Sequence, residues 1–277
     1  MSDLKSVSPA GAQHLIERNA LVLDVRTPEE FARLGHIPGA WLLPVDLIAS
    51  APAVLPPEDR PLIVCCEHGV RSVAAARWLI AAGTANVINM AGGMSNWTGA
   101  RVFGPQPIAG PAGWLLENAH LLPRRGEILD LACGRGRHAL TLAAAGFRVC
   151  AIDRDESAVA SLSRVAARLE LPIDARVVDL ETGTIDLGNA SYEAILVFNY
   201  LHRPLMPAIV RALVPGGALI YETFTIGQAE RGHPRNPAFL LKPGELPTLI
   251  APLTVERSRE GEVDGKLVAS VVARKMS

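Results

Sequence analysis

Two stretches of the chain carry residue types at spacings suited to chemistry. In the first, Cys66 heads the run Cys66-Glu67-His68-Gly69-Val70-Arg71-Ser72, between the apolar run Leu62 to Cys65 and an alanine-rich stretch ending near Ala82. A cysteine in a loop that feeds a helix sits among backbone amides and close to the positive end of the helix dipole. Arg71 follows closely. These surroundings favour the thiolate, the nucleophilic form of the side chain. The amides of Glu67 to Ser72 are expected to cradle an anion, with Gly69 as the freest bend. A buried structural thiol is the plainer alternative for Cys66, although Cys65, inside the strand, suits that inert role better.

In the second stretch, Ile128 to Leu131 is a short apolar run that contains Asp130 and closes on the small residues Ala132, Cys133, Gly134 and Gly136. Leu140 to Ala145 read as helix and Gly146 as its stop. Arg148 to Ile152 read as a second strand that leads into Asp153 and Arg154. Glycines spaced one apart let a ligand approach the backbone, and free amides at the helix start hold a negative or polar group. An acid after the second strand can accept hydrogen bonds from the two hydroxyls of a ribose. The dinucleotide pattern G-x-G-x-x-G fails, because Ala139 takes the place of its third glycine.

These residues need strands and helices to hold them. Ser8-Pro9 opens a helix to Asn19, Leu21 to Val25 is a strand, and Thr27 caps a helix that starts at Pro28. His36 to Ala40 is a turn into another short strand. Gly99 to Gly113 is aperiodic and rich in glycine and proline, so it reads as a linker. Beyond it, Trp114 to Leu122 and Ser157 to Leu169 read as helices and Ala175 to Val178 as a strand ending in Asp179-Leu180. Tyr192 to Phe198 is the next strand, closing on Asn199-Tyr200-Leu201-His202-Arg203. A helix from Leu205 to Leu213, a turn at Pro215-Gly216-Gly217 and a strand from Ala218 to Glu222 follow. Leu253 to Arg259 and Leu267 to Ala273 alternate as a closing antiparallel pair.

With 277 residues, 49% of them hydrophobic, the chain is long enough for two domains with separate cores. No apolar span of about twenty residues is present, so no membrane helix is expected. The start, MSDLKSVSPAG, lacks signal-peptide features, which leads to an expectation of a cytoplasmic protein. A net charge of -1, balanced in both halves, excludes a nucleic-acid footprint. Four cysteines, two adjacent, make neither a disulfide framework nor a C-x-x-C site, and no metal is expected.

The segments LVLDVRTPEEFARLGHIPGAWLLP, CEHGVRS and NMAGGMSNW resemble the successive signatures of a single-domain rhodanese. The resemblance implies a small α/β domain that carries sulfane sulfur as a persulfide on Cys66. Arg71 would attract a donor such as thiosulfate, and Glu67, His68, Gly69, Val70 and Ser72 would complete the loop. Its six residues from Cys66 to Arg71 have the sulfur-transfer length, whereas phosphatases and arsenate reductases of this fold use one more. Asp24 and Arg26 are expected to brace the loop. Glu67 and His68 should line its entrance, where the acid weakens anion attraction. His36 is expected as a structural turn residue, and Trp97 as a closure of the core.

The run ILDLACGRGRHALTLAAAGFRVCAID resembles motif I of the class I S-adenosylmethionine-dependent methyltransferases, and within them the tellurite-resistance and thiol methyltransferase branch. The resemblance implies a Rossmann-like, seven-stranded domain with S-adenosylmethionine as cofactor. Asp130, Ala132, Cys133, Gly134, Gly136, Asp153, Arg154, Asp179, Leu180 and Asn199 would bind it. Asp153 would hold the ribose and Asp179 the adenine amino group. Ala132 replaces the family's first glycine, a change expected to matter little because alanine is the next smallest side chain. Asn199 to Arg203 should point toward the reacting methyl. Thr223 to Glu245 would form a mobile or partly ordered cover, or else a solvated loop, with His202, Phe224 and Arg235 as acceptor contacts.

The expected organisation is a rhodanese-like domain at 1–100, a linker at 101–112 and a methyltransferase domain at 113–277. The partners are a small sulfur donor and a small methyl acceptor. One reading joins sulfur transfer at Cys66 to methylation of a sulfur- or chalcogen-containing acceptor. The alternative is methylation of another metabolite beside an independent sulfurtransferase, or beside a rhodanese that only senses sulfur or docks a partner.

Overall fold

Short, mostly buried apolar runs pair in parallel in both halves of the computed structural model, which describes residues 4–56, 60–123, 126–183 and 185–276. Met1 to Asp3, part of the start read for a signal peptide, lie outside the described residues. Two compact units emerge, one built chiefly from Met1–Pro111 and the other from Ala112–Ser163 with Leu171–Ser277.

The first unit runs β1 (Lys5–Val7), α1 (Pro9–Glu17), β2 (Leu21–Asp24), α2 (Pro28–Leu34), β3 (Trp41–Leu42), α3 (Ala51–Val54), β4 (Leu62–Cys65), α4 (Val70–Ala82) and β5 (Val87–Met90). Its sheet has the order β1-β5-β4-β2-β3 and is parallel throughout. β4 lies at the centre with every residue buried, which is why it reads as an unbroken apolar run. Ser8 caps α1 by accepting from the Gly11 amide at 3.2 Å. A capping box of Thr27 and Glu30 starts α2 as expected.

Residues 101–110 are strapped to this same unit. Val102 and His36 exchange backbone hydrogen bonds, the Ala109 amide donates to Leu42, and Ile108 packs against both apolar clusters. Arg101 donates to the carbonyls of Leu34 and Trp97. Backbone pairing, invisible to periodicity, holds the segment.

The second unit runs α5 (Gly113–Asn118), β6 (Glu127–Leu131), α6 (Arg137–Ala144), β7 (Arg148–Asp153), α7 (Glu156–Arg168), β8 (Ile173–Val177), β9 (Tyr192–Phe198), α8 (Met206–Ala212), β10 (Leu213–Phe224), α9 (Glu245–Leu249), β11 (Thr254–Val263) and β12 (Lys266–Arg274). Its seven strands take the order β11-β12-β10-β9-β6-β7-β8. Strands β6 to β10 are parallel, and β12 runs antiparallel to β10 and to β11. Strand order reverses between β6 and β9, the place where open α/β sheets leave a crevice beyond their carboxyl ends.

Two expectations change in detail. Pro215-Gly216-Gly217 interrupts β10 rather than preceding it: the pairing jumps from Leu213↔Tyr192 to Ala218↔Ala194, with Gly216 at φ 77°. The cover segment is held in place at several points. A Thr225–Leu241 bridge closes its base, and Phe224, Leu240 and Val268 form an apolar cluster. The buried Gln228 accepts from the Leu267 amide at 2.9 Å. Among the described residues no helix is long and apolar enough to cross a membrane.

Candidate active sites

Cys66 follows the central strand β4 directly, so its side chain enters the loop from the most rigid point of the first sheet. It is only 1% exposed. Its Sγ accepts the amide of Gly69 at 3.1 Å and that of Ser72 at 3.3 Å. The Ser72 hydroxyl lies 3.4 Å from the same sulfur and donates to Asn89 Oδ1 at 2.7 Å. Two converging amides at the start of α4 make a cradle suited to an anionic sulfur. Gly69 needs its glycine: φ is 83°, and a Cβ there would stand 3.0 Å from the Gly92 amide.

The far side of the loop is clamped by the NMAGGMSNW segment, Asn89 to Trp97. The Met94 amide donates to Cys66 O at 2.8 Å and the Ser95 amide to Glu67 O at 2.9 Å. A Cβ on Gly93 would fall 2.3 Å from Cys66 O. His68 is exposed and meets Ser95 Oγ at 3.3 Å. Val70, at 76%, is also exposed.

Charge in this site is arranged differently from expectation. Arg26 is fully buried, pairs with Asp24 at 2.8 Å, and reaches Glu67 at 2.7 Å. One buried guanidinium is thus shared by two carboxylates, Asp24 and Glu67, so the group keeps an excess of negative charge beside the loop. Arg71 turns to Glu30 on α2, at 2.8 and 2.6 Å. That hydrogen-bonded pair holds the Glu30 carboxyl down at about 2. The pairing joins residues 41 apart, so nothing local in the loop signals it.

Cys65 is fully buried, and burial pushes its thiol well above the ordinary range. His36 stacks on Phe31 with ring centroids 3.6 Å apart and is 1% exposed. Trp97 is buried in the apolar cluster of the same unit.

In the second unit, the turn after β6 is built on the left-handed backbone of Ala132 (φ 55°), Gly134 (φ 54°) and Gly136 (φ 79°). Alanine at φ 55° is a strained choice, so backbone conformation, not side-chain size, distinguishes it from glycine there. The Gly134 amide donates to Asp153 Oδ2 at 2.7 Å, and the Asp155 amide to Asp153 Oδ1 at 2.9 Å. Asp130 is buried beneath, accepting the Ala139 amide at 3.1 Å. His138 stands 3.8 Å from Asp130, and burial lowers its pKa. A Cβ on Gly136 would strike Leu162, whereas one on Gly134 would meet nothing within 4 Å.

Beyond this turn lies a cavity of about 500 Å³. The ends of β6, β7 and β8 line one half with Ala132, Asp153, Arg154, Val178, Asp179, Leu180 and Glu181. The end of β9, the end of β10 and the cover segment line the other with Asn199, Tyr200, Leu201, Phe224, His233, Pro234 and Phe239.

Residues 8–100 match the family model described as a rhodanese-like domain. Thiosulfate sulfurtransferase GlpE of Ectopseudomonas mendocina is 41% identical over 101 residues, which cover 35% of this chain and 87% of that protein. The counterpart from Pseudomonas fluorescens is 38% identical over the same length and shares. Residues 115–220 match the model described as tellurite resistance protein TehB. The N-terminal part of the chain belongs to the rhodanese-like family, and its C-terminal part is similar to TehB. TehB from Haemophilus influenzae shares the fold, with a TM-score of 0.51 and 22% identity. The match covers 60% of this chain and 62% of that one, so the chain spans less than two thirds of the TehB structure.

Of the cofactor residues expected for the methyltransferase domain, Ala132, Asp153, Arg154, Asp179, Leu180 and Asn199 meet at the cavity. Asp130, Cys133, Gly134 and Gly136 form the turn that supports it. The Cys133 thiol is buried there, and burial raises its pKa. Phe224, expected as an acceptor contact, lines the half of the cavity formed by the ends of β9 and β10 and the cover segment. His202 instead lines a smaller cavity of about 250 Å³ with Leu180, Pro204 and Arg211, and Arg235 is exposed and lines neither. Arg203 is not part of the cavity lining and pairs with Glu245 at 2.7 Å and with the Leu240 carbonyl at 2.9 Å. Tyr200 belongs to the run expected to face the reacting methyl, whereas His233 and Phe239 were expected only as part of the cover. Only Tyr200 carried a signal, as the neighbour of Asn199 at a strand end.

Proposed function

We propose that the protein joins two reactions, sulfane-sulfur transfer through a Cys66 persulfide and methylation of a small sulfur- or chalcogen-containing acceptor. The domains are those of residues 1–100 and 113–277, joined by 101–112. The observation that carries the first half is the pair of amides, Gly69 and Ser72, converging on Cys66 Sγ. The Cys66 thiolate attacks the outer sulfur of a donor such as thiosulfate. The sulfur–sulfur bond of the donor breaks, sulfite leaves with the electron pair, and the terminal persulfide sulfur takes up the negative charge between those amides. Attack by a thiolate acceptor on that sulfur returns Cys66.

The residues at the second cavity fit S-adenosylmethionine. The open space at Gly134, where a Cβ would meet nothing, lets a ligand approach the backbone. Asp153 would receive the ribose hydroxyls and Asp179 the adenine amino group, with Leu180, the next residue, at the same cavity wall. When bound, the cofactor supplies a methyl group whose bond to the sulfonium sulfur breaks, with its electron pair, as a bond to the acceptor forms. Phe224, Pro234 and Phe239 give the acceptor half an apolar wall that excludes water from a soft nucleophile. Such a nucleophile needs little general-base help, so positioning is the main task of this half.

The reading includes a cytoplasmic location, where reducing conditions keep Cys65, Cys66, Cys133 and Cys150 as thiols. Treatment with thiosulfate followed by intact mass measurement tests the persulfide. Wild type is expected to gain one sulfur atom that Cys66→Ser does not, and gain at another cysteine would contradict the assignment.

A further inference from the structure

The Tyr200 hydroxyl is buried and has no hydrogen-bond partner among the described residues. An unpaired phenol in a protein interior is costly, and a ligand group is one way to satisfy it. Tyr200 belongs to the acceptor half of the cavity by chain position, between Asn199 and Leu201. Its hydroxyl, however, feels the charged groups of the other half: burial raises its pKa most, followed by Glu181 and Asp179. The phenol is thus held protonated, as a donor, where the two halves meet.

We propose that the Tyr200 hydroxyl is the hydrogen-bond donor that holds a soft anionic nucleophile, of the class of hydrosulfide or an organic thiolate, at that meeting point. The proposal rests on reading the cavity as the site of methyl transfer. It also sets an order of binding. Asp153, Asp179 and Glu181 outnumber Arg154 in the lining, so the cavity by itself opposes an anion. A positively charged cofactor centre offsets them, and the anion follows the cofactor.

The chain has three tyrosines, Tyr192, Tyr200 and Tyr221, so carbon-13 at the tyrosine Cζ gives few signals, and Tyr200→Phe assigns the one that matters. Sodium hydrosulfide is titrated into protein loaded with sinefungin, an unreactive analogue with a protonated amine near the methyl position. The Tyr200 signal is expected to move and saturate, and to move less without sinefungin. In parallel, Tyr200→Phe is expected to lower kcat/KM for hydrosulfide methylation by about 10- to 100-fold with S-adenosylmethionine affinity unchanged.

A signal that answers sinefungin but not hydrosulfide, with cofactor affinity lost in Tyr200→Phe, would make the phenol a cofactor ligand and overturn the proposal. A variant as active as wild type would overturn it as well. If hydrosulfide moves the signal and wild type makes no methylated sulfur product, Tyr200 keeps its role and the chalcogen reading falls. Neither shift nor turnover overturns both.

Discussion

The Gly134 amide donates to Asp153 Oδ2 at 2.7 Å, tying the turn after β6 to the end of the neighbouring strand β7. One carboxylate therefore both shapes the turn and faces the cavity. Asp153→Ala should lower S-adenosylmethionine affinity at least about 10-fold, the value of one hydrogen bond to a charged group. Calorimetric titration measures it, and unchanged affinity would remove Asp153 from the ribose site.

The two glycines of the turn should fail in different ways. Both have left-handed backbone, so alanine at either carries about 1–2 kcal/mol of strain. Gly136→Ala also drives a Cβ into Leu162 and should lose stability further. Gly134→Ala meets no protein atom, so its larger loss should be in cofactor affinity. Thermal unfolding and cofactor titration on both variants separate the effects.

What the sequence made legible was local. The central strand β4 and the runs that became β6 and β9 are buried and apolar, and a buried parallel strand has no other way to be written. Thr27, Gly69 and Gly136 mark helix starts through backbone needs of their own. What stayed hidden depended on partners distant in sequence. Arg71 reads as a free cation until Glu30 is brought beside it, and Glu67 as a free acid until Arg26 is. His233 and Phe239 sit in a loop without periodicity, and only the closure of Thr225 on Leu241 brings that segment over the sheet. Ala132 shows the limit of judging a glycine position by size.

The Arg71–Glu30 pair gives the protein an acid limb. Glu30 is held at about 2 against an ordinary 4.5, by its hydrogen bonds to Arg71 first. Its contribution is fully present above about pH 4.5 and is lost as pH falls through about 2. Both side chains are partly exposed, so solvent screening leaves about 1 kcal/mol or less. Glu30→Gln should flatten that part of the stability profile in denaturant titrations from pH 5 to 2. An unchanged slope would mean the pair contributes nothing.

Arg203 anchors the cover segment through Glu245 and the carbonyls of Ala238 and Leu240. Arg203→Met should raise the acceptor KM several-fold while leaving cofactor affinity alone, since the cofactor half of the cavity does not depend on the cover. Steady-state kinetics with hydrosulfide and titration with S-adenosylmethionine distinguish the two. A loss confined to cofactor binding would contradict the division of the cavity.

Methyl-labelled S-adenosylmethionine tests the central claim most directly. Sulfide, selenite with thiol, tellurite, and thiosulfate with thiol are supplied separately to wild type, Cys66→Ser and Asp153→Ala, and labelled volatile product is counted. Two linked reactions predict product from sulfide that needs Asp153 but not Cys66, and product from thiosulfate that needs both. Product from thiosulfate that survives Cys66→Ser would make the two domains independent. No product from any of these acceptors, in protein that binds S-adenosylmethionine, would contradict the chalcogen acceptor outright.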